Sequence, residues 1–178
     1  MKFVKKNSPQ PDRAKSLGAP YCETAMTPLG MVRVFATAQG VRAIDYVGVA
    51  EPAPWNNPCE HTTRCIALIQ DYFNGENVTW DVPLDMQAGT ELQRRVWDEI
   101  AAITYGETIT YSELAQRAGN ANAIRAAASA CGKNPLPLII PCHRVVGKNG
   151  GLGGFGWGLP AKQHLLALER HAQSAVAA

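Results

Sequence analysis

The segment from Tyr21 to Tyr46 most narrows what this chain can fold into. Three short runs rich in β-branched and aromatic residues, Tyr21 to Ala25, Met31 to Thr37 and Val41 to Tyr46, are separated by Thr27-Pro28-Leu29-Gly30 and Ala38-Gln39-Gly40. Such runs, punctuated by Gly and Pro turns, predict a small antiparallel meander. After a Pro-rich connection, Glu51 to Pro54, the pair Asn57-Pro58 supplies a cap and a first-turn proline for a helix to about Phe73, closed by Asn74-Gly75. Cys65, Ile66, Ile69 and Tyr72 fall near one face, so this helix is expected to cover the sheet. A strand-like piece, Val78 to Val82, leads into Pro83 and a loop through Gly89, where the domain boundary is placed. The first 18 residues, polar with Pro9 and Pro11, read as a flexible arm.

Beyond Gly89 the signals change to those of helices. Thr90-Glu91-Leu92-Gln93 fits a capping box, and Leu92, Val96, Trp97 and Ile100 carry a helix to about Ile103. Thr110-Tyr111-Ser112-Glu113 is a second box, opening a short helix that ends at Gly119. Asn120 or Asn122 then caps a helix from Ala123 to Cys131, closed by Gly132. Two short helices joined by a Gly-containing turn form the pattern of a helix-turn-helix. The expected fold is α+β: a small N-terminal antiparallel sheet with a covering helix over 19–88, then a mainly helical, winged-helix-like C-terminal domain over 89–178.

At 178 residues the chain can bury a sizeable core, and 46% apolar with 18% charged residues suits a soluble globular protein. No apolar run approaches the roughly 18 residues of a membrane span, and the basic start lacks the apolar region of a signal peptide. A cytoplasmic protein is expected. Five scattered cysteines, Cys22, Cys59, Cys65, Cys131 and Cys142, argue for reduced thiols over a disulfide framework.

The net charge is only +2, but it is unevenly distributed. From Leu114 to Leu168 stand Arg117, Arg125, Lys133, Arg144, Lys148 and Lys162, with no acidic residue. A field of this kind is either a solvated basic face or a phosphate-binding one. Within it, Ala126, Ala127, Ala128, Ser129 and Ala130 make the second helix of the pair thin, fit for a tightly packed neighbour or a nucleic-acid groove. Arg125 at its start tilts the choice toward DNA.

The turn Asn134-Pro135-Leu136-Pro137 and a short buried strand or extended segment, Leu138-Ile139-Ile140, deliver Cys142 beside His143. Cys142 is either one more buried thiol or a nucleophile. Adjacent side chains diverge on a strand or helix, so direct contact with His143 is not expected, and an activating link needs a tight turn or a bridging water. A nucleophilic thiol also needs a base, and the base a third group to orient it. Glu169, the only acid after Glu113, is the candidate, on a last helix that starts at Pro160. The glycine-rich loop Gly147 to Gly158, with Phe155 and Trp157, either admits a flat ligand close to the backbone or is a flexible connection.

Taken together, Arg95-Val96-Trp97, Tyr105-Gly106-Glu107-Thr108, Tyr111, Arg125, Asn134-Pro135, Ile140-Pro141-Cys142-His143-Arg144-Val145-Val146 and Leu165-Leu166-Ala167-Leu168-Glu169 resemble the O6-alkylguanine-DNA alkyltransferases. The N-terminal half matches more loosely, through Thr27-Pro28-Leu29-Gly30 and Tyr72-Phe73-Asn74-Gly75. The resemblance implies a ribonuclease-H-like first domain, followed by a DNA-binding and alkyl-acceptor domain. It implies that Cys142 accepts the alkyl group from O6 of guanine in duplex DNA, with O4 of thymine a further candidate. A water would link Cys142 to His143, Glu169 would orient the imidazole, Asn134 would shape the turn, and Tyr111 would act on the phosphate and the base. Arg125 would fill the space of the flipped nucleotide in the minor groove, with Ser112, Asn120, Ala126, Ser129 and Lys148 also on DNA. Pro137, Val145, Phe155, Gly156 and Trp157 would line the substrate pocket. Each molecule would react once, without metal or organic cofactor, and no feature calls for an obligate oligomer.

Four positions, in three places, depart from the family pattern. Ala128 and Ser129 stand where many members carry Gly-Gly, Phe155 where many carry Tyr, and Trp157 where many carry Gly. Some members bind zinc in the first domain, but the spacing of Cys59, His61 and Cys65, with Cys22 distant, is not a standard zinc pattern. Two rivals stay in view. A non-catalytic lesion-binding protein would not need Cys142, His143 and Glu169 together, and a Cys–His hydrolase would leave the basic helix pair unexplained.

Overall fold

The computed structural model describes residues 10–48, 56–86 and 89–176. Strands β1 (Tyr21–Thr27), β2 (Gly30–Ala36) and β3 (Val41–Gly48) form the expected meander in the order β1-β2-β3, both pairs antiparallel. The turn Pro28-Leu29 sets the first register, Thr27 opposite Gly30, and the Thr27 hydroxyl closes it by donating to the Gly30 carbonyl at 2.7 Å. Central β2 is buried along nearly its whole length, with Val32, Val34 and Phe35 fully enclosed.

Helix α1 (Gln10–Leu17) corrects the reading of residues 1–18 as a flexible arm, as far as its described part reaches. Ala14 joins Ala19, Cys22, Phe35 and Ala43 in one apolar cluster, and Arg13 holds both oxygens of Asp45, at 2.8 and 3.1 Å. These contacts outweigh the segment's polar composition. Residues 1–9, the Pro-rich Glu51 to Pro54 and the end of the boundary loop at 87–88 lie outside the described residues.

Helix α2 (Glu60–Phe73) starts later than the Asn57-Pro58 signal suggested. The Asn57 backbone is instead paired with Cys22, exchanging two hydrogen bonds with β1. Thr62 and Thr63 both donate to Glu23 of β1 at 2.9 Å, and Cys65, Ile66 and Ile69 are buried as expected. No ladder forms over Val78 to Val82. The sheet gains a partner slightly later, where Val41 and Leu84 form a parallel bridge. Gly40 makes this close approach possible, since a side chain there would strike the Pro83 carbonyl. Thr37 and Arg42 both bond to buried Asp85, which fixes the same segment.

The chain divides into two compact units: residues up to Gln70 with Trp80–Met86, and Asp71–Thr79 with the chain from Gln87 onward. The last turn of α2 therefore belongs to the second unit, which also holds α3 (Glu91–Ala101), β4 (Ile109–Thr110), α4 (Tyr111–Arg117), α5 (Ile124–Cys131), β5 (Val145–Val146) and α6 (Leu159–Val176). The Thr90 box forms with both of its bonds. At the second box Thr110 caps the Glu113 amide, while the Glu113 carboxylate pairs with Arg117 at 2.6 Å. Neither asparagine caps α5: its N-cap is Ala123, and the Asn120 side chain accepts instead from the Asn122 amide. Buried Trp97 ties α3 to α5 by donating from Nε1 to the Ala130 carbonyl at 2.9 Å. Strands β4 and β5 pair in parallel, Ile109 with Val145 and Thr110 with Val146. No helix among the described residues is long and apolar enough to cross a membrane.

Candidate active site

Cys142 is delivered by tight turns, which corrects the expected strand or extended segment over Leu138-Ile139-Ile140. Asn134 stitches the turn on both sides: its Nδ2 donates to the Ile140 carbonyl at 2.7 Å, and its Oδ1 accepts from the Leu136 amide at 2.9 Å. Between buried Pro137 and Ile139, Leu138 has a φ of 78°, a conformation that costs a non-glycine residue roughly 1–3 kcal/mol. The enclosing contacts of fully buried Leu138 and the Asn134 bonds hold it there. Cys142 then opens a single 3₁₀ turn, Cys142–Arg144.

In that turn His143 reaches Glu169 and makes no hydrogen bond to Cys142. Its Nε2 donates to Glu169 Oε1 at 2.7 Å, with both side chains fully buried. Glu169 is the hub of the site. Oε1 also accepts from the Tyr72 hydroxyl at 2.6 Å and from Arg144 Nη2 at 3.1 Å. Oε2 accepts from Arg144 Nε at 2.9 Å and from the Gly106 amide at 3.0 Å. Arg144 further donates to the Ile103 carbonyl at 2.6 Å and lies over the Tyr105 ring.

The charges follow from this geometry. Burial opposes ionisation of Glu169, but the bonds from His143 and Arg144 overcome it and hold the carboxyl at about 2. Burial pushes His143 below its ordinary value, outweighing the pull of Glu169, so the imidazole is neutral and Arg144 supplies the counter-charge. With Nε2 donating, Nδ1 carries the lone pair, and it has no hydrogen-bond partner among the described residues. The Cys142 thiol is held below its ordinary range, chiefly by the neighbouring Cys131 thiol; burial works against this, while Asn134 and the charge of Lys162 assist. Cys131 is correspondingly pushed up.

Lys162 corrects part of the basic-field reading, because it is fully buried. Its Nζ donates to the carbonyls of Val145, Leu152 and Gly154, fastening the glycine-rich loop. Tyr111 sits against that loop, its hydroxyl 3.4 Å from the Gly154 carbonyl, and Gly153 (φ 67°) leaves room for its ring. Burial, then the nearby thiols of Cys131 and Cys142, push the Tyr111 phenol up to about 12, so it keeps its proton at neutral pH. Phe155 stacks edgewise near His143, at 6.3 Å between centroids, and Trp157 lies 5.8 Å from Phe155. Val145 is buried, and Gly156 is exposed.

Of the residues expected on DNA, Ser112, Asn120, Arg125, Ala126, Ser129 and Lys148 are all exposed, and Tyr111 is half-buried. Arg144 is buried in the charge network and Arg117 is paired with Glu113. The open part of the basic field is therefore Arg125, Lys133 and Lys148.

Sequence reasoning missed the roles of Tyr72, Arg144, Lys162 and Cys131. One signal was available. Arg144 lies in the largely apolar stretch from Leu136 to Val146, in a region with a single acid, a placement that calls for an ion-pair partner.

Residues 91–171 match the family model of the 6-O-methylguanine DNA methyltransferase DNA-binding domain, and residues 20–86 that of its ribonuclease-like domain. The methylated-DNA–protein-cysteine methyltransferase of Mycolicibacterium paratuberculosis is 37% identical over 150 residues, covering 83% of this chain and 90% of the relative. That of Haemophilus influenzae is 39% identical over 152 residues, covering 81% and 83%. Among solved structures, Mycobacterium tuberculosis OGT in complex with DNA matches with a TM-score of 0.77 at 34% identity, covering 85% of this chain and 94% of that one. With both domains matched, and with relatives of this similarity aligned over most of their length, the chain belongs to the 6-O-methylguanine DNA methyltransferase family.

Proposed function

We propose that this protein repairs alkylated DNA by taking the alkyl group onto Cys142. Its relatives carry the name methylated-DNA–protein-cysteine methyltransferase, and the chain performs the same repair by alkyl transfer to a cysteine of its own. The observation that supports Cys142 as the acceptor is its setting. It is a thiol of lowered pKa, in a turn braced by Asn134, next to a neutral His143 whose free lone pair is at Nδ1.

In the reaction, a water between Cys142 and Nδ1 passes the thiol proton to His143, and Glu169 stabilises the imidazolium. The thiolate attacks the alkyl carbon, a C–S bond forms and the C–O6 bond breaks. The departing guanine takes a proton from the Tyr111 phenol. O6 is beyond reach of a buried thiol while the base is stacked, so the nucleotide is flipped out, and Arg125 on α5 fills its place from the minor groove. Ser112, Asn120, Ala126, Ser129 and Lys148 support the duplex around it. Pro137, Val145, Phe155, Gly156 and Trp157 line the pocket for the extruded base, which accepts O6-alkylguanine and, as a further substrate, O4-alkylthymine. The product is a thioether, and no group in the site offers a route to cleave it, so each molecule turns over once. The protein works as a monomer in the cytoplasm, where a reducing environment keeps Cys142 a thiol.

Mass spectrometry after incubation with an O6-methylguanine duplex tests the assignment. One methyl group on the Cys142 peptide is expected, and none in Cys142→Ser. DNA binding without transfer would favour a lesion-binding protein instead.

A further inference from the structure

We propose that Tyr72 is a positioning residue of the alkyl-transfer site, its hydroxyl holding the Glu169 carboxylate and the His143 imidazole in one arrangement. The proposal rests on Cys142 as the acceptor and His143 as its proton acceptor. Tyr72 Oη, Glu169 Oε1 and His143 Nε2 form a closed triangle, with sides of 2.6 Å from tyrosine to glutamate, 2.7 Å from histidine to glutamate and 3.3 Å from tyrosine to histidine. All three side chains are buried to within about one per cent of complete enclosure.

A phenol has one proton, and the short bond to Oε1 commits it to Glu169. What Tyr72 turns toward Nε2 is therefore a lone pair. Nε2 faces two oxygens that both accept, so it must carry the hydrogen, and the neutral ring keeps its own lone pair at Nδ1. The same hydroxyl shares the Glu169 charge with the donors from Arg144 and Gly106. It thereby limits how strongly the carboxylate draws a second proton onto His143. The titratable and charged groups around the imidazole are Glu169 and Lys162 from α6, Arg144 and Cys142 from its own turn, Tyr72 from the last turn of α2, and Tyr105, which packs on Tyr72.

Tyr72→Phe removes the hydroxyl and keeps the ring contacts with Tyr105 and His143. The variant is expected to transfer methyl roughly tenfold more slowly in single turnover, with the acid limb of its pH–rate profile moved to higher pH and DNA affinity unchanged. A residue that merely filled space would leave the limb in place. An unchanged rate together with an unchanged limb would overturn the proposal. Nitrogen-15 NMR of His143 in the wild-type protein tests it without the variant: the Nε2–H tautomer is expected, and Nδ1–H would sink it. Failure of the wild type to accept methyl would count against Cys142 as acceptor, whereas the tautomer measurement judges Tyr72 separately.

Discussion

Arg144 grips both oxygens of Glu169, although the two residues lie 25 positions apart and one occupies a 3₁₀ turn while the other rides a helix. The ion pair makes it possible to keep a carboxylate charged, and the adjacent imidazole neutral, in a space closed to solvent. Arg144→Met should leave that charge uncompensated. A loss of about 3–5 kcal/mol in urea unfolding is expected, the usual result of breaking a buried pair from one side. Arg144→Lys keeps the charge without the planar fork and should fall between the two.

Acid should destabilise the fold in two steps. His143 has a folded pKa below its ordinary 6.5, so the unfolded chain binds a proton that the native state refuses, and stability declines as pH falls below 6.5. Glu169 is held at about 2 against an ordinary 4.5; its contribution, at most about 3 kcal/mol, is present above 4.5 and lost as pH falls from there toward 2. Thermal melts between pH 8 and 3 should show both declines, and Glu169→Gln should abolish the lower one.

The thiol of Cys131 lowers the pKa of Cys142 more than any other group does. In Cys131→Ala, the pH profile of Cys142 alkylation by iodoacetamide should shift upward, with a rate about fivefold lower at neutral pH. Cys142→Ser gives the background. An unshifted profile would mean that Asn134 and Lys162 suffice.

Trp157 packs against Phe155 with its ring tilted by 56°, and Phe155 in turn borders His143. The indole should narrow the pocket and slow reaction with bulky adducts relative to methyl. Trp157→Gly is expected to raise the benzyl-transfer rate several-fold and leave methyl transfer nearly unchanged. Equal wild-type rates for the two adducts, with no benzyl gain in the variant, would refute this.

The sheet, the capped helices and the helix pair could be read from the sequence because each is set by local signals: Gly and Pro at the turns, Thr90 and Thr110 at the helix starts. What stayed hidden depends on distant partners. Nothing near Asn57 reveals that Cys22 takes its backbone, and nothing near Tyr72 reveals that a carboxylate 97 residues away awaits its hydroxyl. Arg144 and Lys162 read as part of a basic field, solvated or phosphate-binding, because local composition cannot tell an exposed cation from one clamped on Glu169 or on three carbonyls. Cys142, His143 and Glu169 were identified together because the chemistry of a thiol demands a base and an orienting acid. The denser web of donors around Glu169 is a matter of packing, which no motif encodes.

The parallel pair of β4 and β5 carries a consequence for how reading and chemistry are joined. Thr110 ends β4 and also caps α4, while Val145 begins β5 three residues after Cys142. Helix placement and thiol placement thus share one short splint of two residue pairs. A change that slips this register would misalign the tool with its workpiece even where every catalytic side chain is intact.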